Sequence, residues 1–86
     1  MIEKINSPIT VKTLFDHKKK LFMPLTLYWQ NQDYVVKKVG LHYVQRVGNT
    51  LFHYFAVDTD RLFFKLCLNT DNLFWKVEEI ADGLPD

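Results

Sequence analysis

The sequence predicts an all-β domain: a five- or six-stranded antiparallel meander forming a strongly bent sheet or a small, partly open barrel of the SH3-like sort. Three observations predict it. Helix signals are nearly absent, with alanine only at Ala56 and Ala81. β-branched and aromatic residues dominate, including two Trp, four Tyr and seven Phe in 86 residues, the types that fit a pleated, half-buried surface. Turn signals recur at short intervals. The last three, Gly48-Asn49, Thr59-Asp60 and Asp71-Asn72, are about 11 residues apart, the rhythm of a meander.

The bulk numbers bound the rest. A chain of 86 residues is one domain, here 1–86 with 1–8 and 81–86 as loosely ordered ends. A domain of this size buries roughly 60–65% of its unfolded surface. With 48% apolar and 15% aromatic residues, it has the means to build a core and is not disordered. The net charge of +1 supplies no global field to steer a polyanion. Cys67 stands alone, so no internal disulfide forms and a reducing cytosol is expected. The start MIEKINSPITVK has no apolar h-region, and no apolar run approaches the roughly 18 residues of a membrane span. A soluble, cytoplasmic protein with no membrane contact is the expectation.

The elements follow in order. Strands are predicted at about 9–15, 22–30, 33–47, 50–58, 61–69 and 73–80. The charged turn Asp16-His17-Lys18-Lys19-Lys20 joins the first two, and the polar break Gln30-Asn31-Gln32 separates the second from the third. Gly48-Asn49 is a two-residue hairpin turn with Gly at the first central position, which suits type II′. Asp71-Asn72 tolerates positive φ. The third strand is long and has Gly40 near its centre, and glycine inside a strand often marks a bulge or bend. The apolar parity also switches there, from Tyr34 and Val36 to Val39 and Leu41, so a bulge near Lys37-Lys38 is expected.

The turns fix the faces. The first hairpin sets Tyr43 opposite Tyr54, Val44 opposite His53 and His42 opposite Phe55. A turn at Thr59-Asp60 sets Phe55 opposite Phe64, His53 opposite Leu66 and Asp58 opposite Arg61. Alternation then gathers Val44, Leu51, His53, Phe55, Val57, Leu62, Phe64, Leu66, Leu68, Trp75 and Val77 on a core face. The other face carries Tyr43, Gln45, Phe52, Tyr54, Asp58, Arg61, Phe63, Lys65, Cys67, Lys76 and Glu78, with Lys65 and Glu78 as a cross-strand pair. This mixed face has more rings than a solvated sheet needs. It is covered by the N-terminal strand and loops, curled partly inside, or an exposed patch that binds something.

Candidate chemistry is sparse. His42 and His53 share a face as diagonal neighbours, yet a zinc site wants three or four ligands; the plain alternative is two half-buried rings bonded to the backbone. Cys67 sits mid-strand with no histidine on its face, the setting of a structural thiol. There is no nucleophile elbow, P-loop or dinucleotide fingerprint. No enzymatic activity, cofactor, metal site or small-molecule substrate is expected. Basic residues interleave with aromatics: Lys37 and Lys38 at the bend, and Arg46 and Lys65 near Tyr43 and Tyr54. On a small barrel this resembles a stacking platform with phosphate contacts, although solubilising lysines over half-covered rings give the same pattern.

The middle of the chain, 24–79, resembles a family of short bacterial all-β domains of unknown function, some encoded near error-prone DNA polymerase genes. The matching positions are Pro24, Trp29, Tyr34-Val35-Val36, Arg46, His53-Tyr54-Phe55 and Trp75. The pattern departs at Asn31-Gln32, where a glycine and an arginine are expected. The resemblance implies a DNA-repair or regulatory context and carries over no catalytic residue.

The expectation is a non-catalytic binding module. Its partner is another protein or a second copy, met through the mixed face at Tyr43, Tyr54, Arg46 and Lys65, with Lys37 and Lys38 nearby. Nucleic acid is the alternative partner.

Overall fold

The computed structural model describes residues 2–82. They form eight strands: β1 (Ile2–Pro8), β2 (Thr10–Asp16), β3 (Leu21–Trp29), β4 (Gln32–Val35), β5 (Lys38–Val47), β6 (Thr50–Asp58), β7 (Leu62–Asn69) and β8 (Phe74–Asp82). Two antiparallel sheets result, one in the order β1-β8-β7-β6-β5 and one in the order β2-β3-β4. The predicted all-β meander is present as β5 to β8. Neither sheet closes on itself, and the chain bends sharply from one to the other at two corners.

Each corner is one or two residues long. Ile9 N–H still donates to the Trp75 carbonyl of β8 at 3.2 Å, while the next residue, Thr10, already pairs with Tyr28 in the small sheet. At the second corner, Val36 N–H donates to Leu25 O at 2.9 Å and Lys37 N–H donates to Asp58 O at 2.8 Å. Adjacent amides therefore serve different sheets. This explains the parity switch read in the sequence. The predicted strand 33–47 is two strands, and Val36 and Val39 both pack on the core from opposite sides of the corner. A bulge follows at Gly40, where the β5–β6 register shifts between Val39 and Leu41.

The small sheet lies over the inner face of the large one. Leu27 and Tyr34 from the small sheet meet Phe55, Val57, Phe64, Leu66, Val77 and Ile80 from the large one. Rings seal the layer: Tyr34 stands edge-on to Phe64 at 5.0 Å, and Phe22 reaches Phe55 and Trp75 at 6.1 and 6.3 Å. Arg61 clips the sheets together at one end. Its guanidinium lies 4.4 Å from the Tyr34 ring centroid and donates to the Gln32 side chain and to Asp33 O. Pro24 is buried in the central strand β3. A proline cannot donate to a ladder, and the β2–β3 register slips between Lys12 and Thr13, opposite it.

Three expectations are corrected. Residues 2–8, read as a loose end, form β1 and pair with β8. A left-handed Asn6 (φ 53) bulges this strand and hides its alternation. At the other end Ala81 and Asp82 continue β8, and 83–86 lie outside the described residues. The β6–β7 register runs two residues further than expected, with Phe55 opposite Leu66, His53 opposite Leu68 and Asp58 opposite Phe63. Thr59 makes the turn wider: its amide and hydroxyl both donate to Leu62 O, and its hydroxyl accepts from Leu62 N–H. A slip of two preserves every face, so the core face stands apart from its distal end. Val44, placed there by parity, is 47% exposed, because the small sheet does not reach that far along β5.

Candidate functional site

The site is built on the β5–β6 hairpin and extends across the outer face of the large sheet. Gly48 (φ 61) is left-handed and Asn49 is not, as a type II′ turn requires. That turn sets the pairing read in the sequence, with Tyr43 opposite Tyr54 and His42 opposite Phe55. The Tyr43 and Tyr54 rings stack with centroids 4.9 Å apart and planes 14° apart. Phe52 continues the row 6.4 Å from Tyr54. Tyr43 is 38% exposed, so the row is half wet.

Beyond Phe52 the outer face holds a groove of about 580 Å³, lined among others by Asn6, Pro8, Cys67, Asn69, Phe74 and Lys76. At its rim Leu73 and Phe74 are 70% and 71% exposed. Leu73 has φ 63, a conformation that a bulky side chain rarely adopts. The loop is nonetheless held firmly. Leu73 N–H donates to Asn69 O at 2.7 Å, and Thr70 N–H and Oγ1 both donate to Leu51 O. Thr50 Oγ1 donates to Asp71 Oδ2 at 2.6 Å, and Phe74 N–H donates to Asn72 Oδ1. Surrounding bonds thus impose the strained turn that presents two apolar side chains to water.

Two lysines on this face share one carboxylate. Lys65 and Lys76 both lie within 4 Å of Glu78, at 3.8 and 3.9 Å, although Lys65 faces Glu79 in the ladder because β8 bulges at Glu78. Burial pushes the Cys67 thiol above its usual value. Burial, and then neighbouring Cys67, does the same to Tyr54. Both groups are therefore neutral at pH 7, and Cys67 lacks the thiolate that nucleophilic chemistry needs.

Of the six expected contact residues, the fold brings Tyr43, Tyr54 and Lys65 to one face. Arg46 is not with them: it pairs with Leu51 in an unbroken register, and the pleat turns it to the side of His42 and Val44. Lys37 sits at the corner and reaches Asp60 at 3.5 Å. Lys38 begins β5 opposite Asp58. Neither lysine belongs to the tyrosine row. Sequence reasoning missed Leu73 and Phe74; the Asp-Asn turn before them was legible, but the left-handed leucine that tips them outward was not.

The two histidines meet on the inner side. His42 Nε2 and His53 Nδ1 are 2.9 Å apart, one donating to the other, where bonds to the backbone were expected. His42 also stacks on Phe55 at 4.1 Å. Among the described residues no group of three or more His, Cys, Asp or Glu side chains is placed to hold a metal ion, and no helix is long and apolar enough to cross a membrane. No family model, curated protein or solved structure matches this chain.

Proposed function

We propose that the protein is a non-catalytic interaction module whose partner is another protein, a second copy included, bound on the outer face from Tyr43 through Tyr54 and Phe52 to Leu73 and Phe74. The observation that carries this reading is the firmly bonded turn that holds Leu73 and Phe74 in water beside the groove. Exposed apolar side chains cost solubility, and contiguous patches of them mark contact sites. Aromatic anchors in a desolvated centre carry most of the energy of such interfaces. A single free, buried cysteine fits a reducing, cytoplasmic setting.

The test is a paired measurement. The double variant Tyr43→Ala/Tyr54→Ala should stay folded, with a stability loss of about 1–2 kcal/mol in a thermal melt. Quantitative affinity capture should lose with that variant, and with Phe74→Ser, the proteins held by the wild type. A cooperative collapse of the double variant would show that the rings are core and sink the reading.

A second reading, a nucleic-acid-binding β domain in a DNA-repair or regulatory context, draws on the same stacked tyrosines, which suit base stacking. The ion pairs of Lys37, Lys65 and Lys76 weigh against it, because phosphate contact would have to displace them. Fluorescence polarisation with single- and double-stranded DNA and RNA at two salt concentrations decides. Phosphate contact gives a salt-dependent affinity; flat curves remove this reading.

A further inference from the structure

Two sheets have four terminal strands, and three of them are blunted against pairing. β1 slips register between Lys4 and Ser7 and ends on Pro8. β2 carries Lys12 within its seven residues. β4 has only four residues. Bulges, prolines, lysines and shortness are the devices that keep sheet edges from joining others. β5 has two of them, Lys38 and the Gly40 bulge, but both lie at its start, and its one permanent charge after Gly40 is Arg46. From Leu41 to Val47 it pairs with β6 residue by residue, without proline, lysine or carboxylate, and every residue from 40 to 47 is exposed. Four are large and apolar: Leu41, Tyr43, Val44 and Val47.

We propose that this edge is a dimerisation strand: a second copy of the chain adds its own β5 antiparallel to the first, about a two-fold axis at Tyr43. The inference rests on the reading of the outer face as a contact surface and names the partner for its β5 end. The hydrogen-bonding groups set the allowed registers. A two-residue turn closes on a hydrogen-bonded pair, Val47 with Thr50. Alternation then turns the main-chain groups of Gln45 and Tyr43 toward β6, and those of His42, Val44 and Arg46 toward the free edge. A two-fold partner must match these outward groups with its own.

The side chains choose among the registers that remain. An axis at Val44 sets Arg46 opposite His42 of the second copy, twice. Like charges directly opposite are destabilising, and an axis at His42 leaves only 41–43 regularly paired before the bulge at Gly40. An axis at Gln45 pairs 43–47 and sets Tyr43 opposite Val47, which breaks the row of rings. The axis at Tyr43 pairs 41–45 in full, up to the bulge at Gly40. It sets His42 opposite Val44 and leaves each Arg46 past the end of that ladder, at the Gly40 bulge of the second copy, where there is no side chain to meet. On the outer face Tyr43 then meets Tyr43 of the second copy. The Tyr43–Tyr54 spacing of 4.9 Å is about the inter-strand spacing itself, so the stack continues across the axis as four rings. The two five-stranded sheets become one sheet with both grooves on the same side.

Sedimentation velocity on the full chain across the micromolar range tests this. The wild type should show a concentration-dependent dimer. Val44→Pro deletes an outward amide, which an edge tolerates, and should leave a folded monomer by circular dichroism. Should that variant fail to fold, Tyr43→Lys sets two ammonium groups at the axis and should raise the dissociation constant at least tenfold. Oxidation should cross-link Tyr43→Cys into a covalent dimer and leave Gln45→Cys monomeric. A wild type that is monomeric throughout, a dimer indifferent to Val44→Pro and Tyr43→Lys, or preferential cross-linking of Gln45→Cys would each overturn the proposal. A monomeric wild type would overturn the pairing alone, since affinity capture with Tyr43→Ala/Tyr54→Ala reads the outer face independently.

Discussion

β5 and β6 are the two arms of one hairpin, built from the same kinds of residue, yet they live in different solvents. Every residue of β6 is at least half covered, and Phe55 and Val57 are 1% exposed. All but one residue of β5 are exposed. Both arms are rich in β-branched and aromatic side chains, so composition does not separate them. Position does. β6 has a neighbour on each side and the small sheet above its inner end, whereas β5 has one neighbour and passes beyond the small sheet after the corner at 36–37. In a two-layer β domain, burial is decided by where the second layer stops.

Breaking the covered arm should have the largest effect. Phe55 touches Phe22, His42 and Trp75, so Phe55→Ala removes a ring shared by both sheets. The loss should be about 3–5 kcal/mol, enough to unfold much of a small domain, read by chemical denaturation. Tyr43→Ala, one residue along the exposed arm from Phe55's partner His42, should cost about 1 kcal/mol or less. Equal costs for the two would mean that β5 is covered after all.

The clip between the layers should come next. Arg61→Ala loses the stack on Tyr34 and the donation to Gln32 and Asp33. A cation–π contact and two hydrogen bonds at an exposed site contribute about 1–2 kcal/mol together. Arg61→Lys should recover little, because a compact ammonium lacks the planar fork. Hydrogen exchange should show the extra opening in β4, with β7 and β8 left protected.

Much of this arrangement was legible in the sequence, for reasons that differ by element. The β5–β6 pairing was readable because Gly48-Asn49 admits one tight turn, and a two-residue turn fixes register. The faces of β6, β7 and β8 survived a register error at Thr59 because the error was even. The split of 33–47 showed as a parity switch at Val36–Val39 but looked like a bulge, since a change of sheet and a bulge leave the same mark on alternation. β1 was not legible: Ile2 and Ile5 alone are too few to announce a strand, and its pairing depends on β8 at the far end of the chain. At the site, the Tyr43–Tyr54 stack followed from register. Arg46 was misassigned through nearness in sequence to residues whose side chains the pleat turns the other way. Leu73 and Phe74 needed backbone dihedrals that no residue type there signals.

The two glycines of the exposed arm separate a turn from a bulge. Gly48 has φ +61 and open space around a built Cβ, so Gly48→Ala should cost about 1 kcal/mol through backbone strain alone. Gly40 is not in the left-handed region, and a Cβ there would meet Ala56 O at an ordinary 3.7 Å. Gly40→Ala should therefore be close to neutral for the monomer by thermal melt, although it marks the register shift. If the two substitutions cost the same, Gly40 holds strain that its geometry does not reveal.

The smallest effect lies where the two arms touch on the inner side. Burial, and then neighbouring His53, hold His42 below its ordinary pKa of 6.5. The folded chain therefore binds fewer protons at His42 than the unfolded chain as the pH falls through that value. Stability rises with pH wherever the unfolded state binds more protons, so this contribution is complete above about pH 6.5 and is lost progressively below it. The carboxylates titrate lower and blur the wild-type curve, so the informative quantity is the difference between the wild type and His42→Leu. That difference should favour the wild type more at pH 7.5 than at pH 5.5, by well under 1 kcal/mol given how exposed the ring is. A difference independent of pH would mean that His42 is as easily protonated in the hairpin as in water, and that its contact with His53 and Phe55 is one of shape alone.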